Sequence, residues 1–138
     1  MMSIDYGDKR VGIALSDPMH TISYRLCVIK QINEENLISQ ILKILEEKKV
    51  EKIIVGLPLS MSGQYSEQTK KVISFKELLI QKLLDNNIDI IVDTIDERLS
   101  SVSAKNIMIQ QGIKTWHNKG KIDELSAAII LQEYLDSK

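Results

Sequence analysis

A chain of 138 residues with 43% hydrophobic and 27% charged side chains is long enough to bury one core and too apolar to stay disordered. Its formal net charge of −1 excludes a global positive field, so any nucleic-acid surface has to be a local basic patch on an otherwise acidic molecule. A single cysteine, Cys27, excludes an internal disulfide, and there is neither a signal-peptide pattern nor a run of ~18 apolar residues, which predicts a cytoplasmic protein with no membrane partner.

The chain opens extended. Ser3–Tyr6 and Val11–Leu15 are apolar, strand-forming runs around a turn at Gly7–Arg10, the pattern of a β-hairpin. A third run, Thr21–Ile29, follows the break at Asp17-Pro18, and Cys27 within it reads as a buried strand residue rather than a nucleophile. Three strands joined by short connections favour antiparallel pairing. The period then changes: Leu37, Ile38, Ile41, Leu42 and Leu45 recur at helical spacing behind Asn33 as cap, with Glu34 and Glu35 in the first turn. Lys52–Val55 predicts a short buried strand ended by Gly56-Leu57-Pro58, and the polar segment Gly56–Gln64 reads as an active-site loop. Val72, Phe75, Leu79 and Leu83 predict a second helix ending near Asn86-Asn87. Ile88–Val92 predicts a further buried strand, and Ser101–Gln111 and Asp123–Leu135 two more helices. With no repeat or linker, residues 1–138 read as one α/β domain. Three antiparallel strands lead into two βα units that add parallel strands, giving a mixed five-stranded sheet flanked by helices.

Three constellations could carry chemistry. In Asp5-Tyr6-Gly7-Asp8-Lys9-Arg10-Val11-Gly12, an acid on an interior strand precedes a glycine turn and a second strand that itself carries glycine. That sets a carboxylate beside exposed backbone N–H groups, a place for a metal and a phosphate. The same residues also suit a plain hairpin, its glycines serving the turn and its Asp capping it. Asp96-Glu97-Arg98-Leu99-Ser100-Ser101 lies just past the strand Ile88–Val92, where open α/β sheets place their ligands. Arg98 has the bidentate fork that suits phosphate, and the alternative is a solvated loop in which Asp96 or Ser100 caps the next helix. In Lys119-Gly120-Lys121-Ile122-Asp123, two lysines precede a helix opened by Asp123, which could instead be its N-cap.

Taken together, the acids come from three separate elements, each with a basic group or a glycine beside it. Three carboxylates at one sheet edge stay ionised only with cations, and oxygen-only ligands select Mg²⁺ or Mn²⁺ over zinc. Two such ions can activate water and stabilise the leaving oxygen of a phosphodiester. The residues alone leave Asp96 and Glu97 as alternatives for the middle ligand. His20 and His117 lack the partners of a zinc site, and the serines lack a nucleophile elbow.

These motifs resemble the YqgF/RuvX family along nearly the whole chain. The matching stretches are DYGDKRVGIALSDP at Asp5–Pro18, IVGLPLSMSG at Ile54–Gly63, DERLSS at Asp96–Ser101 and KGKIDELSAAIILQEYL at Lys119–Leu135. The family is described both as a Holliday junction resolvase and as the nuclease that trims precursor 16S ribosomal RNA. The resemblance implies a ribonuclease H-like fold, which the element order also matches, with Asp5, Glu97 and Asp123 as catalytic, metal-binding acids. Asp8 departs from the Thr common in the family and adds a negative charge near the proposed metals.

The expected activity is phosphodiester hydrolysis with Mg²⁺ or Mn²⁺, Asp5 bridging two ions and Glu97 and Asp123 each favouring one. Lys9, Arg10, Arg98, Lys119 and Lys121 would hold the nucleic-acid backbone. The expected partner is precursor ribosomal RNA or branched DNA, bound by a monomer or a homodimer. Three rivals stand beside RNA processing. Junction resolution would require two active sites in a dimer. A ribosome-assembly factor would bind RNA without cleaving it. A sugar-kinase or actin-like ATPase also opens on a phosphate-binding hairpin, but it pairs two domains where one fits here.

Overall fold

The computed structural model describes residues 1–58, 65–96 and 119–137, with residues 119–126 described by their backbone alone. Strands β1 (Met2–Tyr6), β2 (Arg10–Ser16) and β3 (Ser23–Lys30) are followed by helix α1 (Glu34–Lys48) and strand β4 (Lys52–Leu57). Helix α2 (Glu67–Asp85), strand β5 (Ile91–Asp96) and helix α3 (Lys119–Asp136) complete the described elements. The five strands form one sheet in the order β3-β2-β1-β4-β5. β1 pairs antiparallel with β2, and β2 with β3, while β1–β4 and β4–β5 are parallel. The expected mixed sheet is therefore observed, with β1 at its centre.

Strand alternation divides the molecule into two layers. Met2, Ile4 and Tyr6 of β1, Val11, Ile13 and Leu15 of β2, and Ile53 and Val55 of β4 face α1 and α2. There they join Leu37, Ile41 and Leu45 of α1 and Val72, Phe75, Leu79 and Leu83 of α2 in the larger apolar core. The opposite face carries Ile54, packed on Ile130, Leu131, Tyr134 and Leu135 of α3, and Ala14, packed on Ala127 and Ala128. Small residues on both sides let α3 lie close to the sheet.

Local chemistry sets the helix starts. The Asn33 side chain accepts the Asn36 N–H at 2.7 Å, as its predicted cap role requires, and Ser66 with Thr69 forms a reciprocal capping box on α2. Among the described residues no helix is long and apolar enough to cross a membrane.

Four expectations are corrected. β3 begins at Ser23 rather than Thr21, because the Asp17 carboxylate accepts the N–H groups of Thr21 at 2.7 Å and Ile22 at 3.0 Å and holds both in a turn. β5 spans Ile91–Asp96 rather than Ile88–Val92. Ile88 and Ile90 do pack on the core, but the strand is defined by pairing with β4, from Lys52↔Ile91 to Leu57↔Asp96. Cys27 is exposed, not buried, because β3 is the edge strand of the sheet, with no neighbouring strand on its outer side. The last helix starts at Lys119, four residues before Asp123. The predicted helix Ser101–Gln111 and residues 59–64 of the predicted loop lie outside the described residues.

Candidate active site

Asp5 occupies the carboxyl half of the central strand. Alternation puts it on the α3 side with Ser3, whose hydroxyl donates to the Ala127 carbonyl at 2.5 Å. Its partner across the hairpin is Gly12. A Cβ at Gly12 would lie 3.7 Å from the Asp5 Cβ and 3.4 Å from the Ala127 Cβ, so any larger side chain would fill the space between the carboxylate and the helix. Asp5 is half-buried.

The turn after β1 is held from the α1–α2 side. A Cβ at Gly7 would come within 2.6 Å of the Arg10 carbonyl oxygen, so only glycine closes the turn without a shift. The Gln31 side chain donates to the Gly7 carbonyl at 2.7 Å, and the Gln31 N–H donates to Lys9 O at 2.8 Å. The Tyr6 hydroxyl donates to Glu34 at 3.0 Å, and its ring stacks on Phe75 with centroids 4.5 Å apart. Burial, then the hydrogen bond to Glu34, pushes the Tyr6 phenol above its ordinary pKa. Asp8 pairs with Lys71, 3.2 Å away on α2. Its charge is thus directed to the face of the sheet opposite Asp5. The contacts of Gln31 and Lys71 with this turn were not expected from the sequence, since both lie far along the chain from the hairpin with no local pattern to single them out.

The remaining predicted residues divide sharply. Lys9 and Arg10 are exposed, Lys9 in the turn and Arg10 at the start of β2. Glu97 and Arg98 lie outside the described residues. Asp96, the last residue of β5, alternates with Thr94 and Val92, and Val92 packs on the α1–α2 core. Lys119, Lys121 and Asp123 are within α3. Asp123 is therefore not the N-cap of that helix, and the lysines are in its first turn rather than before it. Position 123 lies one helical turn before Ala127, about 6 Å along the axis.

The direction of α3 follows from its contacts. Ala127 meets Ser3 and Gly12, whereas Tyr134 meets Lys52 at the start of β4 and donates to Asp93 at 3.2 Å. The helix thus runs antiparallel to β1. Among the described residues no three His, Cys, Asp or Glu side chains gather into a metal-holding group, and two of the three predicted ligands have side chains outside that set.

Comparison with known proteins adds to this geometry. The family model described as "RuvX: Holliday junction resolvase" matches residues 1–137. A "Putative pre-16S rRNA nuclease" of Desulforamulus reducens is 40% identical over 137 residues, covering 99% of this chain and 96% of the relative. A protein of the same name from Phocaeicola vulgatus is 40% identical over 140 residues, covering 100% and 96%. Among solved structures, Thermus thermophilus RuvC aligns with a TM-score of 0.61 at 14% identity, covering 99% of this chain and 95% of that one. The fowlpox virus Holliday junction resolvase aligns with a TM-score of 0.55 at 16% identity over the whole of both chains. At those identities the likeness shows the shared fold, which is ribonuclease H-like.

Proposed function

The chain belongs to the RuvX family, and from that membership we propose that residues 1–138 act as a single metal-dependent nuclease domain that trims precursor 16S ribosomal RNA in the cytoplasm. The observation that carries this reading is Asp5 on the central strand, facing the side-chain-free position of Gly12 beneath α3. A half-buried carboxylate with room beside it fits a hard divalent cation and a closely approaching phosphate.

Asp5, Glu97 and Asp123 would together hold the metal. Glu97 directly follows the last residue of β5, whose parallel neighbours run to the same end of the sheet as Asp5, and Asp123 precedes Ala127 on the helix covering Asp5. One or two Mg²⁺ or Mn²⁺ ions bound there would supply an activated water and stabilisation of the leaving oxygen. The protein's own work is positioning. Gln31 and the Asp8–Lys71 pair hold the hairpin that carries Asp5, and Lys9, Arg10, Arg98, Lys119 and Lys121 hold the sugar–phosphate backbone.

Replacing Asp5 by Asn keeps its size and removes its charge. Cleavage of a precursor 16S ribosomal RNA fragment with Mg²⁺ or Mn²⁺ should collapse in Asp5→Asn, while RNA binding survives or tightens. The family's description favours a second reading, resolution of a four-way DNA junction by a homodimer. Cleavage of a synthetic junction but not of the RNA by wild type would select it. Tight RNA binding with no cleavage of either substrate would select a non-catalytic assembly factor. Equal cleavage by wild type and Asp5→Asn would refute the assignment of the site.

A further inference from the structure

The rows of the sheet that face α3 continue toward the hairpin. On β2, Arg10 shares the face of Gly12 and Ala14 by alternation, and its register partner on the edge strand β3 is Lys30. The partner of Gly12 on β3 is Val28, which is 43% exposed. Asp5, Gly12 and Val28 thus make one row across three strands, and Arg10 with Lys30 makes the next pair on that face.

Arg10 and Lys30 are both exposed, and neither makes an ion pair among the described residues. Like charges directly opposite one another across an antiparallel pair destabilise a sheet. Stability therefore gives no reason for this pair, whereas a polyanion passing over the edge does. Strands lie about 4.8 Å apart and alternate residues about 6.8 Å apart, which puts the Lys30 backbone roughly 12 Å from that of Asp5. That is too far to share a phosphate held at Asp5, and well placed for a phosphate further along the same strand.

We propose that Arg10 and Lys30 form a phosphate-binding pair at the hairpin end of β2 and β3, so that nucleic acid held at the Asp5 site continues past the hairpin toward the open β3 edge. This rests on the nuclease reading above and adds to it a residue, Lys30, and a direction of travel. Phosphate contacts of this kind fix register on the nucleic acid without reading its sequence.

The experiment measures binding of a fluorescein-labelled RNA hairpin and of a DNA duplex across a series of KCl concentrations. The proteins are wild type, Lys30→Ala, Lys30→Glu and, as a control on α1 behind the sheet, Lys43→Ala. Lys30→Ala should weaken binding of unrelated sequences alike and reduce the slope of log K against log salt by about 0.7 to 0.9 for each phosphate that is no longer neutralised. Lys30→Glu should weaken it further, and Lys43→Ala should change neither quantity. Melting temperatures should not fall in any variant, because both lysines are exposed, and should hold or rise slightly in the Lys30 variants as the repulsion with Arg10 is relieved. Wild-type affinity and slope in Lys30→Glu would overturn the inference while leaving the nuclease reading intact, as would an equal loss in Lys43→Ala. Failure of the wild-type protein to bind either probe would overturn both. A loss confined to RNA or to DNA identifies which of the two polyanions the edge carries.

Discussion

Ser3 and Ser23 are buried, at 0% and 2% exposure, and their hydroxyls donate to the adjacent α3 carbonyls of Ala127 and Ala128, each at 2.5 Å. Both carbonyls also accept helical N–H groups four residues on, so replacing either serine by alanine removes a donor without orphaning an acceptor. The cost is then the net value of a hydrogen bond, about 1 kcal/mol each, rather than the larger penalty of an unsatisfied buried group. The double variant should lose about 2 kcal/mol, which for a chain of this size lowers the melting temperature by roughly 8 °C. Activity should fall further than the unfolded fraction explains, because α3 carries Asp123, proposed as a metal ligand, and a shift of ~1 Å in a reacting group can cost about a hundredfold. Circular dichroism melts and Mg²⁺-dependent RNA cleavage measure the two effects separately. An unchanged melting temperature would refute the role of the hydroxyls in docking the helix. A lower melting temperature with wild-type cleavage would refute the link between docking and catalysis.

Phe75→Ala should destabilise the protein by about 3–5 kcal/mol, the range for deleting a fully buried aromatic, and a urea titration would measure it. The same variant removes the ring beneath Tyr6, so a cost below about 1 kcal/mol would contradict the stacking. Gly7→Ala should cost about 1–3 kcal/mol, because its Cβ meets backbone rather than a movable side chain, and a wild-type melt would contradict this. The Asp17 carboxyl is held below the ordinary carboxylate range by hydrogen bonds from the backbone of Ile22, then from Thr21. Its stabilisation is therefore present above about pH 4 and is lost as pH falls through the lowered value. Stability of Asp17→Ala, followed by thermal melts, should decline less steeply than wild type in that acid window.

The sheet was legible because its signals are local. Alternating apolar residues bracket a glycine turn at Gly7, and Asn33 precedes a helical repeat, so pattern and geometry agree within a few residues. Errors arose where a distant partner set the outcome. β4 determines where β5 begins, pairing Ile91 rather than Ile88, and exposure of Cys27 depends on β3 being the sheet's edge. The candidate site stands out in the sequence as residue types, acids beside glycines and basic residues, of which the structure places Asp5 and Gly12 side by side. Its supports do not: Gln31, Lys71 and Lys30 become meaningful only when strand register and helix packing bring them to the hairpin.

The hydrogen bond from Ser3 to Ala127 joins residues 124 positions apart, whereas the β1–β2–β3 meander is built from near neighbours in the chain. Docking α3 therefore joins distant parts of the chain, a conformational cost offset only once the helix is seated. The meander, whose contacts are local, can form before that happens. With α3 undocked the strands would remain paired while Asp123, proposed as a ligand, would be parted from Asp5. The apparent affinity for a cation, if held between these acids as proposed, would then be the intrinsic affinity scaled by the fraction of molecules with α3 seated, and cation binding would in turn favour the seated helix.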